Sequence, residues 1–504
     1  MKKLLLFLFF SSTFFCAQAQ KKVEEKLDMA LYAVTNMYVD SVQAAPLIDS
    51  QIAELLSKLD PFSEYLPPVQ ASNNEQVLGG HTSYIGIGIE GSSIDAHFYI
   101  SFVEPVSDAY AKGLRAGDEI ISINNEAVSN IAPENIFPKL SGVEKSTVNL
   151  VIKHPDGKII NCNIVRNYIL SSSIRTAYML NKQTGYISIS MFSESTVNDF
   201  KKAIVALQVQ GMKNLILDIQ KNGGGLFDQA VALADELLEG SKVIVHTRGA
   251  HVPSETFSTK TKGCFENGKL VVLISNQTKS AAEIFAGAMQ DWDRAVLIGS
   301  TTFGKGLIQQ TLPFEDGSAL RLTVARYYTP SGRTIQKPYN GRDYIDSTKV
   351  YYSLQNHRQL RNIGGISADI EVLPDTTAFS PWYNMITYSG VQKVVARNYT
   401  IRNRSNLKNK YKSIDAFIKA FDSNDLLAKV KEVSDKANIT FNQSDFERSK
   451  EYLKVQLKAL VARDLYNNND YYYRLINASN SSIKEAEKIL SVSNNYHQIL
   501  NDKK

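Results

Sequence analysis

Apolar residues fall into two rhythms along the chain, and both meet between Lys269 and Gly306. Lys269–Ser275 is a short run rich in Val, Ile and Leu, the pattern of a strand buried on both faces. Ser280–Gln290 then sets Ala281, Ile284, Phe285 and Ala288 on one helical face. Ala295–Gly299 is a second apolar run, followed by the glycine-punctuated Thr301–Gly306. Strand, helix and strand within about thirty residues is the length of a right-handed βαβ crossover. The same pattern predicts strands over Tyr186–Met191, Asn214–Ile219, Leu307–Leu312 and Arg321–Tyr328. It predicts a helix over Val197–Gly211 with Phe200, Ile204 and Leu207 inward. Residues 169–390 therefore read as an α/β core.

The flanks follow other rhythms. Residues 20–80 are mostly helical in pattern, with Leu27, Ala30, Leu31 and Val34, then Ile48, Ile52, Leu55 and Leu56. Residues 81–168 turn to period two: Ile85, Ile87 and Ile89 alternate, as do Val148, Leu150 and Ile152. Pro133–Leu140 reads as a helix that Pro138 should shorten or kink. Residues 391–504 carry helical runs at Ile414–Phe421, Leu426–Ala437, Ser444–Leu465 and Ser482–Leu490.

Length and charge add limits. The chain of 504 residues has room for several domains, and 43% hydrophobic content is ordinary for a globular fold. Met1–Ala19 has Lys2 and Lys3, an apolar core Leu4–Phe15, then Ala17-Gln18-Ala19, the layout of a secretory signal cut after Ala19. Phe14-Phe15 before Cys16 makes a poor lipoprotein box, so the expectation is an exported, periplasmic protein without a lipid anchor. Cys162 and Cys264 then remain, too few for a disulfide framework, and the sequence leaves their pairing open. From Val391 onward Lys and Arg number 21 against 13 acidic residues, a surplus larger than the +5 of the whole chain. Such a basic face suits acidic proteins or an anionic membrane surface. No nucleic-acid motif accompanies it, so it reads as a solvated helical face of unassigned role.

The candidate chemistry lies where the rhythms meet. Ser280 falls at a strand-to-helix junction, beside the unpaired N–H groups of a helix N-terminus, where an oxyanion would be stabilised. Read alone, it is an ordinary N-cap. Lys305 sits between Gly304 and Gly306, which let another group approach closely. If Leu307–Leu312 is a strand, Lys305 and Gln309 share a face, and the glutamine amide oxygen could hold the lysine amine.

Together, Ser280-Ala281-Ala282-Glu283-Ile284 and Thr302-Phe303-Gly304-Lys305-Gly306-Leu307-Ile308-Gln309 resemble the C-terminal processing peptidases of family S41. These are serine proteases with a Ser–Lys dyad and an assisting Gln, on a crotonase- or ClpP-like α/β core with an inserted PDZ domain. Ala282 stands where many members carry a second serine, and Lys279 replaces a small residue. The resemblance extends to Leu59-Asp60-Pro61-Phe62-Ser63, with Phe62 for histidine, and to Tyr328-Thr329-Pro330-Ser331-Gly332-Arg333-Thr334-Ile335-Gln336. It also covers Gly365-Ile366-Ser367-Ala368-Asp369-Ile370, with Ala368 for proline. Gly113-Leu114-Arg115-Ala116-Gly117-Asp118 through Asn124 resembles a PDZ core, which implies a nest at Ile85, Gly86, Ile87, Gly88 and Ile89 for a substrate's terminal carboxylate.

The dyad implies a lysine that is neutral at work, with its pKa brought down by about three units from about 10.4. An oxyanion hole would use the N–H of Ala281 and one from Gly224 or Gly225, in a segment where Gly223 replaces the family's proline. No metal-ligand spacing and no cofactor motif is present, and the expected partners are proteins or peptides with free C-termini. Two other readings stay open here: a PDZ adaptor without protease activity, and a crotonase-like enzyme acting on an acyl thioester.

Overall fold

Alternation within single strands sets the architecture of the larger of two compact units, Ser72–Ile308 with Val324–Lys504. The computed structural model describes residues 25–78, 81–94, 97–170, 172–342, 345–346 and 348–502. The leader expected over Met1–Ala19, with Cys16, lies outside the described residues. A six-stranded sheet runs in the order Ile174–Met179, Thr184–Ile189, Asn214–Asp218, Leu270–Ile274, Val296–Gly299 and Ile370–Glu371. All neighbours are parallel except the first pair.

Leu215, Leu217, Leu270, Val272, Ile274 and Leu297 point to one face, packed with Phe200, Ile204, Leu233 and Phe285 from three crossover helices. Those helices are Thr196–Val209, Phe227–Asp235 and Ala281–Asp291. Ile216, Val271, Leu273, Val296 and Ile298 point to the other face. There Ile483, Ala486, Ile489, Leu490, Tyr496 and Leu500 cover them, from the last helices Ser481–Ser491 and Ser493–Asn501. The end of the basic region is thus the second helical layer of the core sheet, not a solvated face. Each such aliphatic side chain contributes about 1.5–3 kcal/mol when fully buried.

A second, antiparallel sheet orders Ile89–Ile94, His97–Val103, Glu119–Ile123, Thr147–Lys153 and Ile159–Val165. Val148, Leu150 and Ile152 are fully buried in it, as their alternation predicts. The Ile85–Ile89 run is not one strand. Ile85 and Gly86 pair with Tyr168 and Asn167, and the chain breaks at Gly88, whose φ of +75° a side chain would resist. The helix Pro133–Leu140 keeps its full eight residues with Pro138 inside, ending two residues beyond it.

Helices Pro381–Tyr388 through Asn469–Asn477 form their own core around Trp382, Val395, Phe417, Leu453 and Leu457. Val391–Lys410, a 20-residue helix, escaped the apolar pattern because its buried side carries Gln392, Thr400 and Arg404. Arg404 donates to the carbonyls of Asp464 and Leu465, capping the end of Gln443–Tyr466. These two helices also grip the antiparallel sheet. Arg397 and Arg463 both bond Glu90, and the Asn467 amide pairs with both backbone groups of Val103. Cys162 and Cys264 are free thiols.

The smaller unit joins the residues up to Ala71 with Gln309–Thr323. Its strand Glu64–Leu66, inside a segment that reads as helical, pairs with Ala319–Arg321. Asp60 organises the turn before it: Oδ1 accepts the N–H groups of Phe62 and Ser63, at 2.8 and 2.9 Å. Thr323 donates its hydroxyl to Asp60 and accepts the Gln309 side-chain amide at 3.1 Å.

Asp464 supplies a test of the packing. Burial pushes its carboxyl up to about 6 from 3.8, against the pull of Arg463. Across that window the folded chain holds more protons than the unfolded one, so this group lowers stability as pH rises, by up to about 3 kcal/mol. Asp464→Asn is expected to remove that decline. Thermal unfolding across the window checks it, and an unchanged difference between variant and parent at every pH would acquit Asp464.

Candidate active site

Three loops leave the carboxyl ends of adjacent parallel strands, where α/β sheets place their ligand sites: residues 219–225, 275–280 and 300–306. Ser280 closes the second, immediately before the helix Ala281–Asp291. Its φ of 56° and ψ of −121° lie where a residue with a side chain is strained, at a cost on the order of 1–3 kcal/mol. Such a conformation persists only if its surroundings over-determine it.

Two buried side chains do so. Glu283, one turn into the helix, accepts the Ser280 N–H at 2.9 Å. The same carboxylate accepts the Thr302 hydroxyl at 2.6 Å, the Gly304 N–H at 2.7 Å and the Lys305 N–H at 2.8 Å. From the opposite side Tyr327 shares its one hydroxyl proton between the carbonyl oxygens of Ser280, at 2.9 Å, and Lys305. The peptide groups of Ser280 and Lys305 are thereby held on both sides by one carboxylate and one phenol. Both residues are half-buried.

Burial pushes the Glu283 carboxyl up, opposed by its bonds to Thr302, Lys305, Gly304 and Ser280. Burial also pushes the Tyr327 phenol well up, and the nearby Glu283 charge adds to it. The phenol therefore stays protonated and able to donate.

The Thr301–Gly306 loop is fastened from three further directions. Phe303 N–H donates to the Thr278 carbonyl, and Lys279 Nζ lies 4.3 Å from the Phe303 ring centre. Gly306 N–H donates to Gln336 Oε1, and Lys337 N–H to the Gly304 carbonyl. The Tyr328–Gln336 motif reaches that place because Arg333, buried, pairs with Asp291 at the helix end and bonds Gln290. Thr302 also accepts the Ile366 N–H at 2.6 Å, which gives the Gly365–Asp369 motif its purpose.

The glycine turn meets Ser280 directly. A Cβ on Gly224 would lie 3.0 Å from the Ser280 Cβ, and Gly224 has φ +102°. Its N–H donates to Asn222 Oδ1 at 2.9 Å, and Asn222 is wholly buried. Gly225, at φ +130°, backs onto Phe192, whose N–H donates to the Gly224 carbonyl. Ala281 is the first residue of its helix, so its N–H has no intrahelical acceptor.

The structure thus gathers Ser280, Ala281, Gly224 and Lys305. Gln309 belongs to the smaller unit, with its side-chain nitrogen on Thr323. Ile85 and Gly86 pair with Tyr168 and Asn167 in a separate two-stranded sheet, Ile87 and Gly88 follow outside any strand, and Ile89 opens the larger antiparallel sheet; the Gly88 carbonyl accepts the Glu104 N–H. Pattern reading missed Glu283, Tyr327 and Asn222 as structural parts of this site. Glu283 stood in a quoted motif; only its position in a helix buried on every side would have marked it.

Comparison with known proteins finds matches in three parts of the chain. Residues 183–345 match Peptidase family S41, residues 76–153 the PDZ domain, and residues 382–467 a family of unknown function, DUF8443. The carboxy-terminal-processing protease of Bartonella bacilliformis is 33% identical over 311 residues, 60% of this chain and 70% of that one. The carboxy-terminal processing protease CtpA of Bacillus subtilis is 30% identical over 346 residues, 65% of this chain and 72% of that one. Among solved structures, a photosystem II D1 C-terminal processing protease is 26% identical across 69% of this chain and 92% of that chain, with a TM-score of 0.38.

The glycine turn yields a contrast. A Cβ on Gly225 would lie 2.1 Å from the Phe192 carbonyl oxygen, whereas one on Gly223 would meet nothing within 4 Å. Gly225→Ala is expected to destabilise the fold by at least about 2 kcal/mol, and Gly223→Ala to change it by less than about 1 kcal/mol. Denaturant unfolding of both variants decides; equal midpoints would refute the close approach.

Proposed function

The chain belongs to peptidase family S41, as a carboxy-terminal processing protease with a PDZ domain, and we propose that Ser280 and Lys305 are its nucleophile and general base. The observation that carries this reading is the shared frame of Glu283 and Tyr327, which ties the backbones of these two residues to each other. A strained serine at a helix start, beside a glycine turn and a lysine loop, is otherwise hard to account for.

In this reading neutral Lys305 takes the Ser280 hydroxyl proton as Oγ attacks the peptide carbonyl. The carbonyl oxygen becomes an oxyanion, met by the Ala281 N–H and an N–H of the glycine turn. Gly224 can serve only by sharing the N–H it gives to Asn222. Collapse of the intermediate breaks the C–N bond, and Lys305 returns its proton to the leaving amine. Water then hydrolyses the acyl-serine by the same route. Gln309 is carried over from the family motif as the assisting residue, and its side-chain N–H donates to the Thr323 hydroxyl. The α/β core is read as crotonase-like, the protein as exported, and the PDZ domain as the receiver of the substrate's terminal carboxylate at Ile85–Ile89.

Ser280→Ala and Lys305→Ala are each expected to cut turnover by more than about a thousandfold with melting temperature retained. Cleavage of an unstructured protein at the parent rate by either variant would remove that residue from the mechanism. Amidating a peptide's C-terminus deletes the charge the PDZ loop is proposed to hold. Binding to Ser280→Ala protein should then weaken by about ten- to a hundredfold. Equal affinity for free and amidated peptides would sink carboxylate capture.

A further inference from the structure

Tyr327 has no part in the family reading above, and its surroundings give it one. It lies on the strand Ala319–Tyr328 and is 1% exposed, yet its hydroxyl faces no solvent and no substrate. Instead the single proton is shared between the carbonyl oxygens of Ser280 and Lys305. Its own N–H donates to the Gly306 carbonyl at 3.1 Å, so the tyrosine backbone is fixed to the lysine loop as well.

The Ser280 carbonyl is already served by the helix, through the N–H groups of Glu283 at 2.8 Å and Ile284 at 3.2 Å. A third donor is unnecessary for satisfying that oxygen. What the phenol adds is a link to Lys305. Glu283 makes the matching link on the N–H side of the same two residues. The anchors at Thr302, Phe303, Gly304 and Gly306 hold the loop to its other neighbours, and Glu283 ties only the N–H groups of Ser280 and Lys305 to each other; the phenol ties their carbonyl oxygens as well. The strain at Ser280, with φ of 56°, makes the restraint necessary, because a loosened junction would relax toward ordinary backbone angles.

We propose that Tyr327 is a positioning residue that sets the register between Ser280 and Lys305 through their carbonyl oxygens. The proposal rests on the reading of Ser280 and Lys305 as nucleophile and base. It acts through those residues and touches no substrate, so its loss should appear in turnover and not in affinity.

The experiment compares the full-length protein with Tyr327→Phe, Glu283→Gln and Ser280→Ala, using one peptide with a free C-terminus and thermal unfolding of each protein. Tyr327→Phe keeps the ring and removes only the hydroxyl. It is expected to lower kcat by about ten- to a hundredfold, as misplacement of reacting groups does, with KM within about twofold of the parent. Glu283→Gln, which weakens the other link, should show the same split and keeps the test alive if Tyr327→Phe does not fold. A folded Tyr327→Phe with parent kcat, beside an inactive Ser280→Ala, would overturn the positioning role and leave the nucleophile assignment standing. A rise in KM with kcat unchanged would overturn it too. Activity in Ser280→Ala would instead sink the nucleophile reading, and this proposal with it.

Discussion

Burying a carboxylate in a protein interior is unfavourable by several kcal/mol unless its oxygens are hydrogen-bonded. Glu283 is wholly buried in a helix whose other residues are also buried, and four donors converge on it. Those donors come from the two places that must meet: the strained junction at Ser280 and the loop from Thr302 to Lys305. Remove the carboxylate and four donors, two of them buried, lose their acceptor at once. The surroundings of the site follow from this constraint. Thr302 is itself pinned by Ile366, Gly304 by Lys337, and Gly306 by Gln336, so the loop is held at several points along its length.

The sheet beneath supplies the rigidity. Its strands are apolar on both faces because helices cover both, and the second cover comes from the last residues of the described chain. Tyr496 shows how closely that cover is fitted, sharing hydrogen bonds with both backbone groups of Leu270. Losing the terminal helices would expose Val271, Leu273, Val296 and Ile298 in the strands that lead into the serine and lysine loops. A segment far from the chemistry in sequence is thus part of its foundation.

Much of this was legible in the sequence where apolar periodicity governs. The βαβ unit around Ser280 falls within a residue or two of its expected bounds, and the alternation at Val148, Leu150 and Ile152 gave the right strand. Periodicity failed where polar groups are buried. Val391–Lys410 hides Gln392, Thr400 and Arg404, so its inner side does not look like one. Glu283 and Tyr327 failed for the same reason: a glutamate on a helix reads as solvated, and a tyrosine in a strand reads as packing. Their roles depend on partners from other parts of the chain, and no local pattern encodes that convergence. The Leu59–Ser63 motif was recognisable, but its strand and its tie through Thr323 to Gln309 appear only once the chain is folded.

The grip of the C-terminal helices on the antiparallel sheet carries a consequence for motion. Glu90 sits at the start of the strand Ile89–Ile94, an edge of that sheet, and burial raises its carboxyl less than Arg463 and Arg397 lower it. It therefore remains charged at neutral pH, and the pair of guanidinium contacts persists. Arg397 adds a bond to the Gly91 carbonyl, Asn398 accepts the Ser92 hydroxyl, and Asn467 spans Val103. These contacts lie on two successive strands and come from two helices with a common core. Any displacement of the sheet that preserves them must carry Val391–Lys410 and Gln443–Tyr466 along. Any displacement that does not must strip two arginines from a half-buried carboxylate, and leaving such a charge unpaired costs several kcal/mol. The helices and the sheet are therefore best regarded as one mechanical body, whose first strand, Ile89–Ile94, follows directly on Ile87 and Gly88.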